Sequence, residues 1–73
     1  MNQLADELKE IVCNYTDEYY IVRYKDEVRL HIQDITSPLV YDIIVLCKSL
    51  NYGFMIKQSL LTYELKLEFY KTL

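Results

Sequence analysis

What a protein can catalyse is limited first by the nucleophiles, bases and metal ligands it owns, and this chain owns few. It has one histidine, His31, and two cysteines, Cys13 and Cys47. Nucleophilic catalysis needs a nucleophile, a base and an orienting group in one pocket, so His31 would have to be the base. It stands in an alternating segment between Arg29 and Gln33, the setting of an ordinary surface histidine on a strand. A metal site built from Cys13, Cys47 and His31 would lack both close ligand spacing and a fourth ligand. Acidic pairs recur at Asp6-Glu7, Asp17-Glu18 and Asp26-Glu27. Adjacent residues on a helix or strand point in different directions, so these pairs predict a solvated, turn-forming surface and not a two-carboxylate centre. Phosphate-binding loops need several glycines, and Gly53 stands alone. The inventory implies no catalytic residue, no metal and no cofactor, and it points to a protein that works by binding another macromolecule.

A binding protein works through the surfaces that its elements present. Leu4, Leu8, Ile11, Val12 and Tyr15 recur at helical spacing and fall within one arc, with Asp6, Lys9, Glu10 and Cys13 directed away. Asn2 is placed to cap this helix, and Asp6 and Glu7 lie early enough to favour its positive end. Tyr19 to Tyr24 is rich in aromatic and β-branched residues and predicts a strand. Lys25-Asp26-Glu27 makes a turn, and Val28 to Gln33 alternates strictly, with Val28, Leu30 and Ile32 on one face and Arg29, His31 and Gln33 on the other. Two strands this close pair as an antiparallel hairpin.

Thr36-Ser37-Pro38 reads as a helix start, with Ser37 or Thr36 as cap and proline where its missing N–H costs nothing. The second helix is expected from about Pro38 to about Leu50, although Val40, Ile43, Ile44 and Val45 make a strand the competing reading. Asn51 and Gly53 stop it, Gly53 being the one residue that enters positive φ freely. Phe54 to Gln58 predicts a third strand and Ser59 to Thr62 a loop. Tyr63 to Tyr70 then alternates most cleanly, with Tyr63, Leu65, Leu67 and Phe69 inward and Glu64, Lys66, Glu68 and Tyr70 outward.

At 73 residues there is room for one domain with one core, because so short a chain buries only about 60% of the surface its unfolded form exposes. The hydrophobic share of 52%, with eight tyrosines, helps that core close. Two cysteines are too few for a disulfide framework, and the N-terminus lacks a signal-peptide pattern, so free thiols in the cytoplasm are expected. The apolar run Leu39 to Cys47 is interrupted by Asp42 and is far shorter than the roughly 20 residues a membrane span needs. The net charge of −3 is uneven: residues 1–36 sum to −4 and residues 37–73 to +1. Such a balance disfavours general duplex DNA binding, which rests on neutralising phosphates.

The element order is helix, hairpin, helix, hairpin. An ungapped shift of 35 residues lays Leu4 on Leu39, Leu8 on Ile43, Ile21 on Ile56 and Leu30 on Leu65, which suggests pseudo-twofold halves, 1–35 and 36–73, without establishing duplication. The expected fold is a two-layer α+β domain, αββαββ, with a four-stranded, mostly antiparallel sheet and both helices on one face. The helix-strand-strand order resembles the scaffold of LAGLIDADG homing endonucleases. The acidic helix motif that carries their chemistry is absent from this chain, so the resemblance is one of element order and assigns no family.

Two surfaces emerge from this arrangement. If Tyr19 and Ile21 face the helices, then Tyr20, Val22 and Tyr24 project from the opposite side of the sheet with Arg29, His31, Met55 and Lys57, an aromatic patch rimmed by cations. The other register of the first strand puts Tyr20, Val22 and Tyr24 in the core. On the second helix Tyr41 and Val45 fall outward with Ile44 at the boundary, which suits either a second copy of the chain or a few tolerated exposed side chains. The expected function is a small non-enzymatic protein-protein interaction module, an adaptor, regulatory or inhibitor protein of the kind phages and mobile elements encode. The alternative is single-stranded nucleic-acid binding, with Tyr20 and Tyr24 stacking on bases and Arg29, His31, Lys57 and Lys66 on the backbone.

Overall fold

Six elements follow one another in a computed structural model of the chain, which describes residues 2–62 and 64–72. They are α1 (Asn2–Val12), β1 (Tyr19–Arg23), β2 (Glu27–Ile32), α2 (Ser37–Leu50), β3 (Tyr52–Gln58) and β4 (Leu65–Lys71). Tyr63, expected to open the last strand, and the side chain of Asn2, expected to cap α1, lie outside the described residues. The αββαββ order is as the sequence predicts, and the four strands form one antiparallel sheet in the order β1-β2-β4-β3.

The first helix buries Leu4, Ala5, Leu8 and Val12 on its sheet-facing side. It ends sooner than its apolar spacing suggests. The amides of Asn14 and Tyr15 each bond three residues back, tightening the chain into a turn, and Tyr15 leaves the apolar arc. Its hydroxyl donates to Asp42 of α2 at 2.5 Å, and that bond to a carboxylate holds the phenol above its ordinary range. Asp6 lies beyond the first turn of α1, which carries no acidic residue. It accepts a hydrogen bond from Arg23 of β1 at 3.0 Å and so joins helix to sheet edge instead of serving the dipole.

In α2 the ends outweigh the β-branched interior. Thr36 is the cap, its side chain accepting from the Leu39 amide, and Pro38 stands in the first turn. Leu39, Ile43, Leu46 and Cys47 bury one face. The stop is made by Asn51, in the left-handed region at φ 61° and ψ 49°, whose amide donates to the Cys47 carbonyl. Gly53, expected to take that role, does not adopt positive φ. It sits within β3, where a Cβ would come within 2.8 Å of the Tyr70 ring. Its missing side chain is therefore space for an aromatic one.

The core is a single cluster among the described residues, and the strand faces follow from it. Leu30 of β2 lies opposite Leu67 of β4, and Val28 opposite Phe69; all four are fully buried against the helices. Tyr19 and Ile21 of β1 lie opposite Ile32 and Leu30 and pack against the same cluster, and burial holds the Tyr19 phenol above its ordinary range. The register question is thereby answered, with Tyr20 and Val22 pointing away from the helices. The shortest dimension of the molecule is 17 Å, the thickness of one helix layer on one sheet at a spacing of about 10 Å. The six described elements are all used in these two layers.

Asn51 gives a direct check on the helix stop. Replacing it with glycine is expected to leave thermal stability unchanged or raised, whereas Asn51→Val should cost about 1–2 kcal/mol, the usual penalty of a side chain with a branched Cβ in the left-handed region. Chemical denaturation of the two variants beside the parent chain measures the difference.

Candidate functional site

Strand pairing dictates which side chains share the uncovered side of the sheet. Reading across β1, β2, β4 and β3, one row holds Tyr20, His31, Lys66 and Lys57, and the next holds Val22, Arg29, Glu68 and Met55. A third row holds Glu27, Tyr70 and Gly53, with Tyr24 at its head, its amide donating to the Glu27 carbonyl. All seven residues expected to form a partner-binding patch, Tyr20, Val22, Tyr24, Arg29, His31, Met55 and Lys57, belong to this one face. Tyr20 and Tyr24 are 52% and 45% exposed.

The polar side chains of this face form a connected set centred on Glu68. Its carboxylate meets Lys57 at 3.1 Å, Lys66 at 3.2 Å and Arg29 at 4.0 Å, and its side chain is only 12% exposed. The hydrogen bonds from Lys57 and then Lys66 hold the Glu68 carboxyl below its ordinary range. Arg29 also donates to Glu27 through both Nε and Nη2, at 3.1 and 3.2 Å. Its guanidinium lies 4.4 Å from the centre of the Tyr24 ring, a cation-π contact. His31 and Tyr20 stack with their rings 4.4 Å apart and 7° from parallel, and the His31 Nδ1 lies 3.0 Å from Glu64.

Each expected cation of the patch thus has an acidic neighbour. Arg29 stands beside Glu27 and Glu68, Lys57 and Lys66 beside Glu68, and His31 beside Glu64. The expected cationic rim is instead an interleaved, charge-balanced network. Sequence reasoning recognised Glu64, Glu68 and Tyr70 as outward-facing but assigned them to no surface. Their place became visible only once β4 was seen to lie between β2 and β3, which alternation within one strand does not reveal.

The residues expected for self-association separate. Tyr41 and Ile44 line an apolar cleft with Ile35, Thr36 and Val40, whereas Val45 lies on the opposite flank of α2 with Ile11 and Asp42. Leu60 and Leu61 form another exposed pair that composition alone did not flag. They are 93% and 92% exposed in a loop that Ser59 organises by accepting hydrogen bonds from the Leu61 and Thr62 amides.

Cys13 is exposed and Cys47 buried, both as free thiols; burial pushes the Cys47 thiol up to about 11, which keeps it protonated and unreactive. Among the described residues, no group of three or more His, Cys, Asp or Glu is placed to hold a metal ion. No helix among them is long and apolar enough to cross a membrane.

The Glu68 network makes stability depend on acid in a defined sense. A carboxyl whose folded value is depressed contributes stability that is fully present above its unfolded value and lost as pH falls through the folded one. The chain should therefore lose stability as pH drops through and below the ordinary glutamate range. The stability gap between it and Glu68→Gln should close as Glu68 takes up its proton. Urea denaturation of both proteins from neutral pH into acid checks this, and a constant gap would show that Lys57, Lys66 and Arg29 do not favour the charged carboxylate. No family model, curated protein or solved structure matches the chain, so the reading of this face rests on its own geometry.

Proposed function

We propose that this chain is a non-enzymatic protein-interaction module, of the adaptor, regulatory or inhibitor kind, whose partner docks on the uncovered face of the sheet. The observation that carries the reading is the set of half-exposed aromatic rings, Tyr20, Tyr24 and Tyr70, standing among ion pairs that the protein satisfies by itself. Tyrosine is the residue type most at home in such a contact, since its ring buries apolar area while its hydroxyl keeps a polar partner. The neighbouring charges are already matched, so a partner can cover the rings without stranding a charge. Tyr20 is held flat against His31 and Tyr24 against Arg29. Little side-chain freedom is then left to lose on binding.

The same network weighs against single-stranded nucleic acid. Stacking platforms of that class combine aromatic rings with cations free to follow phosphates, and here Arg29, Lys57 and Lys66 already hold carboxylates. A phosphate would have to compete with Glu68 while meeting its repulsion.

Affinity capture from a lysate of the encoding organism, run with the parent chain and with a Tyr20→Ala, Tyr24→Ala variant, tests the proposal. A protein retained by the parent and reduced at least tenfold by the variant is expected. Titration of a labelled single-stranded oligonucleotide at low salt is the opposing arm. Sub-micromolar binding that falls steeply with salt would overturn the ranking of the two classes.

A further inference from the structure

The sheet has two edges, β1 and β3. β3 is outermost beside β4. At its two ends, Thr72 donates to the Asn51 carbonyl and Ser59 to the Glu64 carbonyl. These bonds mark the alternation along the ladder, so that Gly53, Met55 and Lys57 bond toward β4. The backbone groups of Phe54, Ile56 and Gln58 consequently point outward, where among the described residues the sheet has no further strand. Met55 and Ile56 are 49% and 47% exposed, and Lys57 is the only charge in the strand. Apart from Lys57 the strand has none of the devices that blunt an edge, neither proline nor a bulge, and an edge so little protected is a template for pairing with another strand.

We infer that β3 pairs antiparallel with β3 of a second copy of the chain, about a twofold axis at Met55, joining two sheets into one of eight strands. Self-complementarity favours a second copy over a foreign strand. Pairing about Met55 is the register in which the two copies of the strand overlap along their whole length. It sets Phe54 opposite Ile56 of the second copy on the helix side, with their outward amides and carbonyls in register to bond. It sets Met55 opposite Met55 on the other side. Lys57 then meets Gly53 of the second copy, so the two lysines never oppose each other. Because the Tyr70 ring lies over Gly53, the aliphatic stem of Lys57, whose ammonium stays on Glu68, meets an aromatic surface where another residue type would have placed a side chain.

The flanking surface is apolar in the same direction. α1 meets α2 on the side of Asp42, through Tyr15 and Ile11. The opposite side of α2, with Val40 and Ile44, therefore lies toward β3 and carries the apolar cleft. Leu60 and Leu61 follow β3 directly, and the twofold carries them to the end of α2 in the second copy, beside its half-buried Leu50. A strand pair alone falls short of the roughly 1,000 Å2 that a specific interface buries, and these residues extend it. Tyr20 and Tyr24, on the far edge of the sheet, stay uncovered, so this inference does not rest on the proposed function.

Light scattering after size exclusion, over a dilution series, should give twice the 8.8 kDa of the chain at the higher concentrations. Ile56→Lys should return the mass to one chain while circular dichroism stays unchanged. Met55→Cys, placed in a Cys13→Ser background, should form a disulfide-linked dimer under mild oxidation, because residues facing across a non-hydrogen-bonded antiparallel pair come within disulfide reach. Val22→Cys in that background should not. A single-chain mass at every concentration would overturn the inference. So would a dimer that Met55→Cys fails to link, which also decides the matter should Ile56→Lys not fold.

Discussion

Two helices of 11 and 14 residues, roughly 16 and 21 Å long, can cover one face of a four-stranded sheet and no more. Most of the molecule follows from that constraint. The covered face is the core, where Leu30, Leu67, Val28 and Phe69 meet Leu4, Leu8, Leu39 and Ile43. The other face must be made tolerable in water by side chains alone. The chain achieves this with Glu68, which stands on a central strand and draws Lys57 from one neighbouring strand, Arg29 from the other, and Lys66 from its own.

That solution has a consequence for recognition. An open sheet face built from cations would suit a polyanion, and one built from aliphatic side chains would aggregate. Balanced charge leaves the rings of Tyr20, Tyr24 and Tyr70 as the part of the face with area still to bury. Gly53 belongs to the same arrangement, since its lack of a side chain lets the Tyr70 ring lie across the strand. The helix layer sets the limits of the other surfaces. α2 does not extend over Ile56, so the edge strand keeps both an unpaired backbone and an apolar side chain at one place.

Much of the fold was legible because its signals are local. The alternation of Val28, Leu30 and Ile32 and of Leu65, Leu67 and Phe69 names the buried faces of β2 and β4, and Thr36 with Pro38 announces α2. The register of β1 was not legible, because Tyr19 to Tyr24 is apolar on both sides. What decided it was pairing with β2, which places Ile21 beside buried Leu30. The helix stop was legible in Asn51, which makes it, but not in Gly53, which was expected to share it. Glycine has the greater freedom at positive φ, but asparagine tolerates that region too. Gly53 was needed for its lack of volume, a requirement set by Tyr70, 17 positions away and invisible to spacing. The candidate face was legible residue by residue, but its charge balance was not, since Glu68 meets Arg29 only through the placement of β4 between β2 and β3.

The sidedness of the sheet is best tested in solution, by adding a soluble gadolinium chelate and measuring the relaxation of aromatic ring protons. The ring protons of Tyr20, Tyr24 and Tyr70 should relax strongly, and those of Phe69 should be untouched, with Tyr19 intermediate. Protected Tyr20 and Tyr24 rings beside a fully accessible Tyr19 would mean that β1 presents its opposite side, and the uncovered aromatic face would not exist.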